Sequence, residues 1–500
     1  MKEDSTGSYG HVLKYTGVFG GVQGLSILVA LVRNKLVALL LGPNGMGLAS
    51  LFNTTVNFIS QATNLGISFS AVKHVADLFD KGDEVAIALF VKVVRTWSLL
   101  TAILGMLACV VAGPFLSELT FSWGNHTLHF ILLAPAVGML AITGGEMAIL
   151  KGARQLRSLA VIQIYTILAT LSISLPIYYF FNMTGIVPVI VLMAITSMLL
   201  TIRHSYRLYP LRLTGANGIL GEGMEMVKLG VGFVMAGVMG SGAEMLIRSY
   251  LNVVSGDLDV VGLYNAGFML CVTYAGMVYS AMETDYFPRL SAVQHDVLAT
   301  NLTVNRQIEV SLLIVSPMLA VLIVTLPLLV PLLFSNKFIP MIGMAQVAVF
   351  SMYIKAVSLP ISYIPLAKGD SVGYMILEGI YDIVLVVLIV AGYRYWGLFG
   401  TGIALSLSYL IDIFMVGIYV SMRYHYRFTP QVIHYAAIQY ALGVSVYIVT
   451  FIDNPTIYWS LGMLLCFVSL LVSIYILHQK TSLWSALTTR LKKLFHCHEA

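Results

Sequence analysis

Apolar stretches of about twenty or more residues recur from one end of this 500-residue chain to the other. A bilayer core about 30 Å thick is crossed by roughly 20 apolar residues in a helix, which satisfies its own backbone hydrogen bonds where water is absent. Runs bounded by charges, turns, proline or glycine fall near 12–32, 46–72, 84–113, 128–150, 158–182, 186–206, 222–253, 260–285, 307–334, 341–367, 372–392, 398–421, 432–452 and 457–478. The first continues toward residue 41, where Gly42-Pro43-Asn44-Gly45 interrupts it. Only 10% of residues are charged, too few to coat the surface of several soluble domains. The expected fold is therefore an all-α integral membrane protein with about 14 transmembrane helices.

Basic residues orient it. With both termini placed inside, inside loops carry eighteen of the 28 lysines and arginines, and outside loops carry Arg33, Lys35, Lys337 and Arg394. That asymmetry follows the positive-inside rule and predicts cytoplasmic termini. No cleavable signal peptide is expected, because the first eleven residues are mixed polar and no small-residue cleavage site follows. The four cysteines form neither a disulfide framework nor a metal pattern, and His496-Cys497-His498 offers too few ligands for a structural metal. No metal and no cofactor are expected. Residues 481–495 place Leu483, Leu487, Leu491 and Leu494 at helical spacing beside Arg490, Lys492 and Lys493, which suggests a cytoplasmic amphipathic anchor.

An offset of 215 residues superposes the chain on itself without gaps. It pairs Gly17 with Gly232, Ser26 with Ser241, Leu31 with Leu246, Arg33 with Arg248, Leu36 with Leu251, Gly47 with Gly262 and Leu48 with Leu263. The arginine pair carries the most weight, since arginine is scarce inside spans. Six helices per repeat put both halves the same way up, the parallel arrangement of transporter repeats. The expected organisation is a six-helix bundle over 1–213, its repeat over 214–430, two further helices over 431–479 and a tail over 480–500. Arg33 and Arg248 are then expected on facing bundles, at matching depth.

No Gly-Lys dipeptide occurs, which excludes a Walker A loop, and no His-Glu-x-x-His is present. Asp257-Leu-Asp259 reads as a turn on the outside face. Charges within spans are more telling, because each costs at least about 2.5 kcal/mol at the bilayer centre unless paired or hydrated. Arg33, Glu146, Glu244, Arg248, Lys355, Glu378, Asp382 and Asp412 are of this kind. Glu244 and Arg248 stand one turn apart, and Lys355 is positioned to meet Glu378 or Asp382. Two readings remain open for these groups: internal ion pairs, or a hydrated lumen where arginine binds an anion and carboxylates serve a coupling cation. Guanidinium suits a diphosphate through bidentate hydrogen bonds. Lys92 and Arg95 either snorkel inward or meet a phosphate entering from the inner leaflet. Asn53, Asn57, Gln61, Asn64 and Ser68 line one face of the second helix, where amides suit sugar hydroxyls.

The run from Arg33 through Leu41-Gly42-Pro43-Asn44-Gly45, then Leu65-Gly66-Ile67, and the later Pro288-Arg289-Leu290-Ser291 resemble the Wzx-type polysaccharide flippases. These belong to the multidrug/oligosaccharidyl-lipid/polysaccharide exporter superfamily. The resemblance implies a non-enzymatic flippase carrying undecaprenyl-diphosphate-linked oligosaccharide across the bacterial inner membrane by alternating access, for O-antigen-like surface polysaccharide. It implies coupling to H+ or Na+, membrane lipids and a polysaccharide polymerase with its chain-length machinery as partners, and no nucleic acid. Arg33 matches the arginine that precedes the Leu-Gly-Pro-x-Gly motif, so diphosphate contacts would fall to it and to its repeat mate Arg248; Lys92 and Arg95 join them only from their place on the third helix, not from the motif. A multidrug/cation antiporter or a lipid II flippase is the alternative within the superfamily. A membrane polymerase or ligase would need a larger outer catalytic loop than residues 114–127 provide.

Overall fold

The computed structural model describes residues 4–210 and 219–480 and, among them, is helical with no strand. The expected amphipathic tail and the His496-Cys497-His498 tract lie outside these residues. Ten helical stretches among the described residues are long and apolar enough to cross a membrane. The 53-residue stretch Leu156–Leu208 turns at Asn182–Gly185, and the 54-residue stretch Ser371–Tyr424 breaks at Trp396 and Gly397. Each would measure about 80 Å if straight, enough for two crossings.

The chain divides into two compact units, residues 1–265 with 331–338, and residues 266–330 with 339–500. In the first, α1 (Asp4–Thr63) is broken at Gly42, whose φ of 65° and ψ of −171° belong to a region only glycine occupies comfortably. This is the interruption expected from Gly42-Pro43. The second expected helix, 46–72, is not continuous. It stops at Thr63, Leu65 and Gly66 take positive φ, and α2 (Ile67–Lys81) restarts the chain. The polar run Ser60-Gln61-Ala62-Thr63-Asn64 precedes this break, and its amides at helical spacing also fit the polar face of a continuous helix. Helix α2 buries Ile67, Ser70, Ala71 and Val75 on one face, while Lys73, Asp77, Asp80 and Lys81 are exposed.

Helix α3 (Glu84–Thr120) runs seven residues beyond the expected end at 113, with Pro114 inside it. Asp83 caps it by accepting from the Ala86 N–H at 2.9 Å. Helices α4 (Thr127–Gly152), α5 (Leu156–Phe181), α6 (Ile186–Leu208) and α7 (Ile219–Ser255) complete the first unit, together with the start of α8 (Leu258–Phe268). Close packing depends on small residues: a Cβ on Gly145 would fall 1.9 Å from Ser98 Oγ, and one on Gly152 would fall 2.5 Å from Val75 Cβ.

In the second unit, six residues of π-helix, Met269–Tyr274, lead into α9 (Ala275–Ala292). Helices α10 (Val297–Leu333), α11 (Ile342–Ala367), α12 (Ser371–Tyr424), α13 (Pro430–Val449) and α14 (Pro455–Lys480) follow. Helix α11 is the core element, with most of its side chains buried. The Cys271 thiol, Tyr279 hydroxyl and Tyr286 hydroxyl donate to the carbonyls of Ala345, Met352 and Pro360, which sets this segment parallel to α11. The Tyr353 hydroxyl reaches Ser316 O on α10 at 3.0 Å. Gln439 joins α13 to α14 by donating to Ser473 Oγ at 2.9 Å and accepting from Ser469 Oγ at 2.7 Å.

Candidate functional site

The broken helix α1 and the α7–α8 corner meet through residues related by the 215 offset. A Cβ on Gly47 would lie 2.3 Å from the Leu258 carbonyl, and one on Gly262 would lie 1.9 Å from the Pro43 carbonyl. Gly47 is the offset mate of Gly262, and Pro43 that of Leu258, so the contact is reciprocal. Residue i meeting j while the mate of i meets the mate of j is how surfaces behave at a two-fold axis. Ser50 and Asn265, also 215 apart, share a hydrogen bond of 3.0 Å.

Arg248 enters this crossing from α7. Its Nε donates to Ser50 Oγ at 2.8 Å, one terminal nitrogen donates to Glu244 Oε2 at 3.3 Å and Glu244 O at 3.2 Å, and the other to Asn265 Oδ1 at 3.3 Å. The guanidinium carbon lies 5.9 Å from the Tyr264 ring centroid, and the residue is 4% exposed. Each of the three nitrogens therefore has a partner, as a buried guanidinium requires. The Glu244 partner expected one turn away is present.

Arg33 is built differently. Val29 stands where the offset would place a mate for Glu244. Among the described residues, an Arg33 terminal nitrogen donates to Asn34 Oδ1 at 3.2 Å, and the Arg33 Nε is buried with no partner. Tyr178 of α5 lies within electrostatic reach. Among the described residues the ion pairs are Arg95–Glu146, Arg154–Asp80 and Arg248–Glu244, so Arg33 holds a charge without a carboxylate. Lys35 is anchored by donating to Pro331 O at 2.8 Å.

Following the Gly42 break, α1 carries the amide stripe. Asn53, Asn57 and Gln61 are exposed, while Leu51, Phe52, Val56 and Ile59 between them are buried. That is the reverse of a lipid-facing helix, since exposed amides are costly in hydrocarbon. Asn53 Nδ2 donates to Ala49 O at 2.8 Å, and Gln61 Oε1 lies against Gly237 of α7. Asn64, the next member, sits in the break and donates across it to Ser68 Oγ at 3.0 Å.

The remaining charges fall elsewhere. Arg95 pairs with Glu146 at 2.9 Å, approaches Ser205 Oγ at 3.4 Å and stacks 4.0 Å from the Tyr206 centroid, tying α3 to α4 and α6. Lys92 is half-buried one turn before it on α3. In the second unit, Lys355 of α11 has Glu378 and Asp412, on the two halves of α12, within electrostatic range, although no contact ion pair joins them among the described residues. Its Nζ is 6.0 Å from the Tyr279 centroid and 5.9 Å from that of Tyr409. Asp382 is buried on the same helix as Glu378. Among the described residues no three His, Cys, Asp or Glu side chains gather as metal ligands.

Ser50, Asn265 and Tyr264 carry no charge, and Ser50 and Asn265 are unlike residues at offset positions, so neither charge nor repeat identity marks them in the sequence. The 215 offset itself would have found Ser50 and Asn265.

Among curated proteins, none matches this chain in sequence. Solved structures match its fold. An inward-facing multidrug resistance MATE family transporter of the MOP superfamily aligns over 80% of this chain and 94% of its own, at 14% identity and a TM-score of 0.66. The lipid II flippase MurJ in an inward closed conformation aligns over 92% and 99%, at 14% identity and a TM-score of 0.63. A MOP superfamily transporter from Pyrococcus furiosus, titled for the reverse polarity of its binding pocket, aligns over 82% and 93%, at 14% identity and a TM-score of 0.58. A family model described as "Polysaccharide biosynthesis protein" matches residues 36–343, a span that runs from the Leu-Gly-Pro-x-Gly turn past the Pro-Arg-Leu-Ser segment. The chain therefore belongs to the polysaccharide biosynthesis protein family and carries the MOP transporter fold, consistent with a Wzx-type flippase.

Proposed function

We propose that this protein flips undecaprenyl-diphosphate-linked oligosaccharide from the cytoplasmic to the outer leaflet, for O-antigen-like surface polysaccharide. The observation that carries the reading is Arg33: a guanidinium in an apolar span with, among the described residues, no carboxylate partner and an unpartnered, buried Nε. Such a group is stabilised by an anion, and a diphosphate fits its planar fork. Asn53, Asn57 and Gln61 present donors and acceptors from the same helix, which suits the sugars that follow the diphosphate. The polyprenyl tail would remain in lipid.

Two parallel repeats, 1–213 and 214–430, followed by two helices, would expose the headgroup alternately to either side. Arg248, whose nitrogens are already engaged, holds the crossing of α1 with the α7–α8 corner. Lys92 would receive the phosphate from the inner leaflet, while Arg95 is committed to Glu146. In the second unit, Glu378, Asp382 and Asp412 outnumber Lys355, an excess of carboxylate that suits a coupling cation, H+ or Na+. The basic-residue asymmetry supports cytoplasmic termini in a bacterial inner membrane. A polymerase with its chain-length machinery would then receive the flipped unit.

The arginine and the amides argue against export of organic cations, which would call for carboxylates. The test is glycan display in cells lacking their own flippase. Arg33→Ala, expressed at the wild-type level, should lower display by about 100-fold, the equivalent of about 2.7 kcal/mol of lost headgroup interaction. Full display from that variant contradicts the reading.

A further inference from the structure

At the corner between α3 and α4, two histidines pack into an aromatic cluster away from the Arg33 site. His126 stacks on Phe121 at 4.0 Å, meets Trp123 edge-on at 4.5 Å and lies 5.1 Å from His129, centroid to centroid. His129 stacks on Phe52 of α1 at 5.6 Å, and Phe52 also touches Phe121 and Phe130. His126 Nε2 lies 3.1 Å from Trp123 O, and a carbonyl can only accept, so this nitrogen carries the proton. His126 Nδ1 is left as a bare lone pair, buried and without a partner, and His129 Nδ1 is also buried without one. His126 is 8% exposed.

Adding a proton to His126 is disfavoured by its burial and by its place at a helix N-terminus. Both residues sit at the N-terminus of α4, where the peptide dipoles present their positive end. The first unit's α1 contributes no charged side chain over 45–63, and the last turns of α3 contribute only Glu118, which is exposed. From α7 come neutral groups: Ser249 Oγ at 3.4 Å from Thr120 Oγ1, and Asn252, whose Nδ2 donates to Thr120 O at 2.7 Å and whose Oδ1 is buried without a partner. Arg248, one residue before Ser249, is turned to Ser50. Among the described residues, no carboxylate is buried at the corner to receive an imidazolium.

We propose that His126, packed against His129, forms a pH latch, which when neutral clamps the α3–α4 corner onto Phe52 of α1 and when protonated lets go. Burial, and then the neighbouring His129, hold His126 below the usual histidine range, against a smaller opposite pull from the Trp123 carbonyl. A lowered folded value means the latch is fully closed above about pH 6.5, the unfolded value, and weakens as pH falls from there through the folded value. Phe52 precedes Asn53 of the amide stripe, so release of the corner frees the helix that presents the amides.

The experiment uses the full chain in nanodiscs. Trp123 emission, isolated by subtracting the spectrum of Trp123→Phe, should fall as the adjacent imidazole becomes charged, with a midpoint below pH 6.5. His129→Phe keeps the aromatic packing and removes the competing charge, so the midpoint should rise by about half a unit or more. His126→Phe should abolish the step. Hydrogen exchange over 117–130, corrected for intrinsic rates, should show protection at pH 7.5 that is lost at pH 5, and the loss should vanish in His126→Phe. If that variant does not fold, the midpoint shift in His129→Phe and the wild-type exchange still decide. Protection equal at both pH values, or no emission step down to pH 4.5, overturns the latch.

Discussion

Arg33 and Arg248 occupy corresponding positions 215 residues apart in two similar helices, yet they meet opposite surroundings. Arg248 has Ser50, Glu244 and Asn265 on its three nitrogens and Tyr264 beside it. Arg33 has Asn34 on one nitrogen and a buried Nε with nothing on it. One local difference underlies the divergence: Glu244 precedes Arg248 by a turn, and Val29 precedes Arg33. A two-fold crossing also has room for one guanidinium at its centre. Arg248 fills it by reaching across to Ser50, which leaves Arg33 without the matching place. Repeats of this kind can keep a residue while dividing its duties, one copy for packing and the other for a ligand.

Breaking the comparison at Arg248 should have the largest effect on stability. Arg248→Ala removes the hydrogen bonds to Ser50 and Asn265 and should lower unfolding free energy by about 2 kcal/mol, seen as a reduced midpoint in thermal unfolding. Glu244 is half-exposed and can be hydrated, so the cost stays below that of a fully buried pair. Arg33→Ala, by contrast, should leave that midpoint nearly unchanged while transport collapses.

Making the two arginines alike should have an intermediate effect. Val29→Glu gives Arg33 the counter-ion that Arg248 already has, and should cut glycan display by about tenfold with little change in expression, since the carboxylate competes with the diphosphate. Undiminished display would mean that a free Arg33 charge is not required.

The smallest effect concerns a cap within the second unit and serves as a control. Asp370 caps α12, accepting from the Tyr419 and Tyr424 hydroxyls at 2.5 Å each and from the Gly373 N–H at 2.9 Å. These bonds, the phenols first, hold its carboxyl below the usual range. A depressed value contributes stability that is present above about pH 3.9 and is lost as pH falls through the folded value. Wild type and Asp370→Asn should therefore differ in thermal midpoint at pH 7 and converge toward pH 3, with Arg33 substitutions leaving the difference unaltered.

Much of this was legible from residues that act locally. Proline and glycine announced the break in α1, because one lacks an N–H and the other tolerates the dihedrals found at Gly42. Long apolar runs identified the spanning helices, and the Glu244–Arg248 spacing identified their pair. What sequence concealed depended on distance or on neutral groups. Arg95 and Glu146 are 51 positions apart, so nothing local linked them. The stop at Leu65-Gly66 follows the polar run Ser60-Gln61-Ala62-Thr63-Asn64, which reads equally well as the polar face of an unbroken helix. Arg248 is held largely by a serine and an asparagine, which carry no charge to betray them, and the idle Nε of Arg33 is visible only once its surroundings are packed.

The central claim is that Arg33 meets the diphosphate whereas Arg248 holds the frame. Its most direct test is the thermal shift that undecaprenyl diphosphate produces in the purified, detergent-solubilised protein. Ligand that binds only the folded state at 100 times its dissociation constant stabilises by about 2.7 kcal/mol. Wild type and Arg248→Ala should both show the shift, the latter from a lower starting midpoint, and Arg33→Ala should show none. An undiminished shift in Arg33→Ala, or its loss in Arg248→Ala alone, would contradict the account.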